Sequence, residues 1–113
     1  MTQSEFLSPE LVVARQLEAY NARDIEAWVA TYAPDGQQFE FPGKLLASGR
    51  AEIRARATLR FTEPKLHARL IRRTVMGAVV VDHEEVTRTF PEGEGRIELV
   101  CIYLVERGLI QTA

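Results

Sequence analysis

The chain reads as an α+β fold, with three N-terminal helices packed on one face of a curved, mostly antiparallel sheet, and three observations predict it. Apolar residues recur at helical spacing through the first part of the sequence. From Leu66 onward the pattern changes to strand-like runs separated by short turns. One of those runs, residues 97–105, is apolar on both of its faces.

Ser8-Pro9-Glu10 sets the first helix start. The Ser hydroxyl can accept from free backbone N–H groups, Pro fits the first helical position, and Glu favours the positive end of the helix dipole. The helix runs to about residue 22, with Val13, Leu17 and Tyr20 on one stripe. Asn21-Ala22-Arg23-Asp24 interrupts it, and Asp24 is placed to cap a second helix. In that helix Ile25, Trp28, Val29 and Tyr32 fall at i, i+3, i+4 and i+7, one buried face. Pro34-Asp35-Gly36 is expected to end it with turn chemistry. Residues 37–41 alternate, Phe39 and Phe41 against Gln38 and Glu40, which predicts a short strand closed by Pro42-Gly43. A third helix is expected over residues 50–61, favoured by Ala51, Ala55 and Ala57 and stopped before Pro64. Its arginines Arg50, Arg54, Arg56 and Arg60 are expected to form a solvated face.

Strands are predicted at 66–75, 78–89, 96–106 and 109–113. The breaks between them, at Met76-Gly77, residues 91–95 and Arg107-Gly108, are short enough for an antiparallel meander. In the third of these strands Ile97, Leu99, Cys101, Tyr103 and Val105 point one way, and Val100, Ile102 and Leu104 the other. A sheet with one solvated face would alternate apolar and polar residues there. Helices cover only one face, so a second copy of the chain is expected on the other, a homodimer through the sheet.

With 113 residues, 46% hydrophobic and 27% charged, the chain is expected to be one folded domain rather than a disordered segment. Fourteen Lys and Arg against sixteen Asp and Glu give a net charge of −2, which argues against nucleic acid as a partner, although a local arginine patch stays open. Cys101 is the one cysteine, so no internal disulfide is available, and its apolar run suits a small buried hydrophobe. No apolar stretch approaches the roughly 18–20 residues that span a bilayer, and no membrane partner is expected. Met1-Thr2-Gln3-Ser4-Glu5 has neither a basic nor an apolar leader pattern, so the expected location is cytoplasmic. Two distant histidines with scattered acids make no metal-ligand set, and no glycine-rich phosphate loop stands out, so no metal or cofactor is expected.

The element order, with Tyr20-Asn21-Ala22-Arg23-Asp24-Ile25-Glu26-Ala27-Trp28 leading to Tyr32-Ala33-Pro34-Asp35, resembles the NTF2-like superfamily of cystatin-like α+β cones. More closely it resembles the SnoaL-like and steroid delta-isomerase-like branch. Gly49-Arg50-Ala51-Glu52-Ile53-Arg54 and Glu106-Arg107-Gly108-Leu109-Ile110-Gln111 fit the same pattern, so the resemblance extends from about Pro9 to Ala113. It implies a conical pocket for a small hydrophobic ligand between the helices and the concave sheet face. The activity stays open, because this scaffold hosts isomerases, cyclases, dehydratases and plain binding modules.

In ketosteroid isomerases a carboxylate at the end of the first strand shuttles a proton next to a ketone, and Glu40 matches it. A partly desolvated acid there would act as a general base; the alternative is that Glu40 faces solvent, opposite Phe39 and Phe41. The family's oxyanion donors, a first-helix tyrosine and a late-strand acid, are replaced by Gln16 and Val100. His83, within Asp82-His83-Glu84-Glu85, is the second candidate acid/base, and the resemblance puts it on the pocket side with Val81 and Glu85. The alternative is an exposed polar strand with partners such as Arg69, Arg72 and Arg73. Glu98 shares parity with Val100 and is expected to enter the pocket face; Trp28 and Tyr32 serve the core or line the cavity. Two readings follow: cofactor-free proton transfer (isomerase, cyclase or lyase) on a hydrophobic carbonyl compound, or a non-catalytic ligand-binding or dimeric assembly module.

Overall fold

A computed structural model describes residues 6–113; the leader-pattern expectation on Met1-Thr2-Gln3-Ser4-Glu5 lies outside the described residues. Helix α1 (Pro9–Ala22) starts as its sequence predicts, with Ser8 Oγ accepting from the Leu11 N–H at 3.2 Å. It ends at Arg23, whose backbone is left-handed (φ 55°). Asp24 then caps α2 (Ile25–Ala30), its Oδ1 accepting from the Ala27 N–H at 3.1 Å.

The segment that marks this stretch in sequence has a mechanical explanation. Asn21 presents its amide to β3 (His67–Met76) as another strand would. Its Nδ2 donates to the Ala68 carbonyl at 2.9 Å and its Oδ1 accepts from the Ala68 N–H at 2.8 Å. Arg23 Nη2 donates to the carbonyls of Glu63, Pro64 and Leu66 at 2.9–3.1 Å, holding the entry to the same strand. These bonds satisfy backbone groups that no other strand covers.

Tyr32 does not continue the second helix as expected but opens β1 (Tyr32–Glu40). Pro34-Asp35-Gly36 therefore lies inside a strand, where it makes an irregularity: Tyr32 pairs with Ile110 and the next pair joins Gln37 to Thr112. The turn residues relieve the ladder rather than end an element. A Cβ on Gly36 would sit 3.1 Å from the carbonyl oxygens of both Ala33 and Ile110, so any larger residue would have to push both strands back by a few tenths of an ångström.

A strand that the sequence pattern did not disclose, β2 (Lys44–Ser48), forms a hairpin with β1. Helix α3 (Arg50–Arg60) buries Ile53 and Ala57. Its arginines are not a uniformly solvated face. Arg50 Nε donates to the Tyr32 carbonyl at 2.9 Å, Arg54 pairs with Glu26, and Arg56 Nη1 donates to Gln38 Oε1 at 2.6 Å.

The meander follows as β3, β4 (Val79–Phe90), β5 (Gly93–Glu106) and β6 (Leu109–Thr112). The sheet order is β2-β1-β6-β5-β4-β3, antiparallel except for the parallel β1–β6 pair. The three helices pack against its inner face. Val12, Val13, Tyr32, Ile53, Val80 and Ile110, each at most 2% exposed, form the centre of the core.

Register decides which side chains reach that face. Opposite residues of β4 and β5 share a side, so Val80/Tyr103, Asp82/Cys101, Glu84/Leu99 and Val86/Ile97 form one set. Val80, Asp82, Glu84, Val86 and Tyr103 are buried, which makes this the inner set. The alternate set, Val81/Ile102, His83/Val100 and Glu85/Glu98, faces outward, with Val100 60% and Ile102 54% exposed. The pocket-side positions expected for His83 and Glu98 are therefore overturned by strand parity.

Candidate functional site

A cavity of about 580 Å³ lies between the helices and the inner sheet face. Leu17, Val86 and Leu99 give it apolar wall, and Phe39, Phe41, Pro42 and Gly43 from the β1–β2 hairpin line it as well. Arg56 and Arg60 reach it from α3.

Gln16 lines the cavity at 5% exposure, and its Oε1 accepts from the Tyr103 hydroxyl at 3.2 Å. With the oxygen so engaged, the amide nitrogen is the end left to donate to a ligand. Trp28 and Tyr32 also line the cavity, their rings 5.0 Å apart. The Tyr32 hydroxyl accepts from Gln38 Nε2 at 3.0 Å, whereas Trp28 Nε1 is buried without a hydrogen-bond partner. Burial raises the pKa of the Tyr32 and Tyr103 hydroxyls, so both stay protonated.

The remaining expected residues are not brought together. Glu40 ends β1 as an exposed residue paired with Lys44, and it does not line the cavity. His83 is on the outer face, its Nε2 3.5 Å from Glu98 Oε2, with the Glu98 side chain 67% exposed. Val100 contributes to the lining, but its side chain belongs to the outer set.

The carboxyl that does enter the cavity is Glu84, 5% exposed and flanked along the strand by Asp82. Asp82 is fully buried and gripped by Arg73, Nε to Oδ1 at 2.7 Å and Nη2 to Oδ2 at 2.9 Å. This two-point pairing is the strong form of an arginine–carboxylate contact. Burial pushes the Glu84 pKa up, the Asp82 charge adds to the rise, Arg73 opposes it, and the result is about 7. Both protonation states are therefore accessible near neutral pH. Cys101, beside Asp82 across the strands, is pushed up to about 12 by burial and then by Glu84, which makes it a poor nucleophile.

Glu84 escaped the sequence reading because Val79, Val80 and Val81 precede this cluster on both faces and leave the parity unmarked. The signal that could have found it is Val86, whose parity Glu84 shares. Among the described residues no three His, Cys, Asp or Glu side chains are grouped to hold a metal ion.

Three helices on a curved six-stranded sheet, enclosing an apolar cavity with one buried acid, define a cystatin-like α+β cone. Residues 13–112 match the model of the SnoaL-like domain, and the chain belongs to that family. No curated protein matches it by sequence. Among solved structures it is similar to an uncharacterized cystatin-fold protein from Novosphingobium aromaticivorans, with 22% identity over 94% of this chain and 95% of that one and a TM-score of 0.86. A candidate polyketide cyclase from Sinorhizobium meliloti is 20% identical, covering 89% of each chain, with a TM-score of 0.76. A Mycobacterium tuberculosis protein in complex with estradiol-17β-hemisuccinate is 18% identical over 94% of this chain and 91% of that one, with a TM-score of 0.78. At these identities the likeness is one of fold.

Proposed function

We propose that this chain binds a small hydrophobic carbonyl compound in its cavity and moves a proton on it without a cofactor, as an isomerase, cyclase or lyase. The observation that carries the proposal is Glu84, the carboxyl buried in the cavity wall beside Asp82. The acid/base role expected of Glu40 and His83 passes to it. As carboxylate, Glu84 takes a proton from the carbon next to the carbonyl. The enolate oxygen is met by the Gln16 amide nitrogen, and the protonated Glu84 returns the proton to a second carbon. A pKa of about 7 suits both halves of that transfer. Gln16, Trp28 and Tyr32 are the proposed binding residues. The steroid ester held by the similar mycobacterial protein supports a small-molecule pocket.

The test is isomerisation of a β,γ-unsaturated ketone followed by ultraviolet absorbance. Glu84→Gln is expected to lower turnover at least about 100-fold, with Glu40→Gln and His83→Gln leaving it unchanged. Retained turnover in Glu84→Gln sinks the acid/base role. A binding-only reading is favoured by a different consideration: the resemblance puts Gln16 in place of the tyrosine donor of ketosteroid isomerases, and Val100, matched to their acid, turns its side chain to the outer face. On that reading Glu84→Gln leaves ligand affinity unchanged or improves it, and no variant turns over.

A homodimer through the outer sheet face belongs to the same proposal, supported by the exposure of Val100, Ile102 and Val79 on one side of β4 and β5. Ile102→Asp is expected to yield a monomer in sedimentation, and a wild-type monomer at micromolar concentration refutes it. No helix among the described residues is long and apolar enough to cross a membrane, and a cytoplasmic location is part of the proposal.

A further inference from the structure

A second, smaller hollow of about 120 Å³ opens beside the main cavity, under α3. It is lined by Tyr20, Trp28, Gln38, Arg56, Ala57, Arg60 and Phe61, and Tyr20, Trp28, Gln38, Arg56 and Arg60 line both spaces. Its chemistry is one-sided. Two guanidinium groups face it and no carboxylate does. Arg56 donates to Gln38 Oε1, a neutral acceptor, and makes no ion pair among the described residues. Arg60 Nε lies 3.7 Å from Glu63 Oε2, but that carboxylate is already held by Arg88, through Nε at 2.9 Å and Nη2 at 2.8 Å, and by the Thr89 N–H at 2.9 Å. Positive charge at the hollow is thus left largely uncompensated by the protein. The indole of Trp28, 5% exposed, gives the hollow a flat apolar wall.

The main cavity differs. Its far wall is Leu17, Val86 and Leu99, with Glu84 set into it. Tyr20 lines both regions. A molecule filling both spaces therefore meets apolar wall at one end and guanidinium groups at the other.

We infer that the ligand is an amphiphilic acid whose apolar body fills the main cavity and whose carboxylate ends in the side hollow against Arg56 and Arg60. This inference rests on the cavity being the ligand site and deepens that reading. Guanidinium binds a carboxylate through paired N–H groups, and in a half-desolvated hollow such bonds are stronger than neutral ones.

The experiment compares two probes of matched shape, decanoate and decanamide, at pH 7. Trp28 is the sole tryptophan of the chain and lines both spaces, so its fluorescence reports occupancy, and calorimetry supplies affinities. Decanoate is expected to bind at least about tenfold tighter than decanamide. The preference falls as salt rises, because the hollow is open to solvent. In the double variant Arg56→Gln, Arg60→Gln it drops to within about twofold, while Arg60→Lys retains part of it. Arg56 is exposed and Arg60 is partly so, and a circular dichroism spectrum checks that the double variant folds. Equal affinity of the wild type for both probes, or a preference that survives the double variant, overturns the inference and leaves the cavity reading standing. Failure of both probes to bind the wild type overturns the inference and the cavity reading together, and binding of decanamide alone overturns the inference only.

Discussion

Asp82 and Glu84 on one face of β4, and His83 and Glu85 on the other, are neighbours in sequence and opposites in environment. The inner pair lies at 0% and 5% exposure, and its charges are governed by burial and one arginine, Arg73. The outer pair touches Glu98 at 3.5 Å and Arg69 at 3.4 Å, with all four side chains partly or largely exposed. Coulomb interactions at similar spacing are several times stronger away from water. What distinguishes a chemical group from a solvated one here is therefore parity along the strand and not residue type.

That contrast can be broken by substitution. The largest effect is expected for Arg73→Met, which leaves Asp82 buried and unpaired and should cost about 3–5 kcal/mol in urea unfolding. A loss below 1 kcal/mol would mean that water reaches Asp82. Next comes Glu84. Its folded pKa of about 7 lies above its ordinary value of 4.5, so its contribution is most favourable below pH 4.5 and is lost as pH rises through 7. The slope between those limits should amount to about 3 kcal/mol and vanish in Glu84→Gln, as seen by comparing unfolding curves at acid and alkaline pH. An unchanged slope in that variant removes the buried-acid account. Glu63 works in the opposite sense: Arg88 holds its pKa down at about 2, so its stabilisation is present above pH 4.5 and is lost as pH falls toward 2. The smallest effects belong to the outer face, where Arg69→Ala and His83→Gln should each shift stability by less than about 1 kcal/mol. A larger shift from His83→Gln would mean that His83 and Glu98 lie inside the proposed dimer seam rather than at its rim.

Much of the architecture was legible because local chemistry and tertiary role agree. Ser8 and Asp24 cap the helices their spacing predicts, and the turns at Gly77 and Gly108 take positive φ (58° and 75°), where glycine costs least. Legibility failed where one residue serves two contexts. Pro34-Asp35-Gly36 has turn composition, yet it lies in β1 because Ile110 approaches Gly36 from a strand distant in sequence. β2, Lys-Leu-Leu-Ala-Ser, has no alternation to betray it. At the site, Gln16 was reached through the family resemblance alone, strand parity was assigned to the wrong face so that Tyr103 fell opposite the pocket, and valines on both faces hid the parity of Glu84.

The parallel seam between β1 and β6 carries a consequence for folding. β6 is the last strand in chain order, yet it sits in the middle of the sheet, and the β1–β2 hairpin with its phenylalanines joins the meander through it alone. Until residues 109–112 dock, the sheet exists as two separate ribbons and the hollow lacks one side. Closing that gap joins segments about 75 positions apart, the kind of contact whose loop-entropy cost slows a chain's search. Completion of the cavity is thereby tied to the docking of one strand, and loosening four residues would open both sheet and cavity at once.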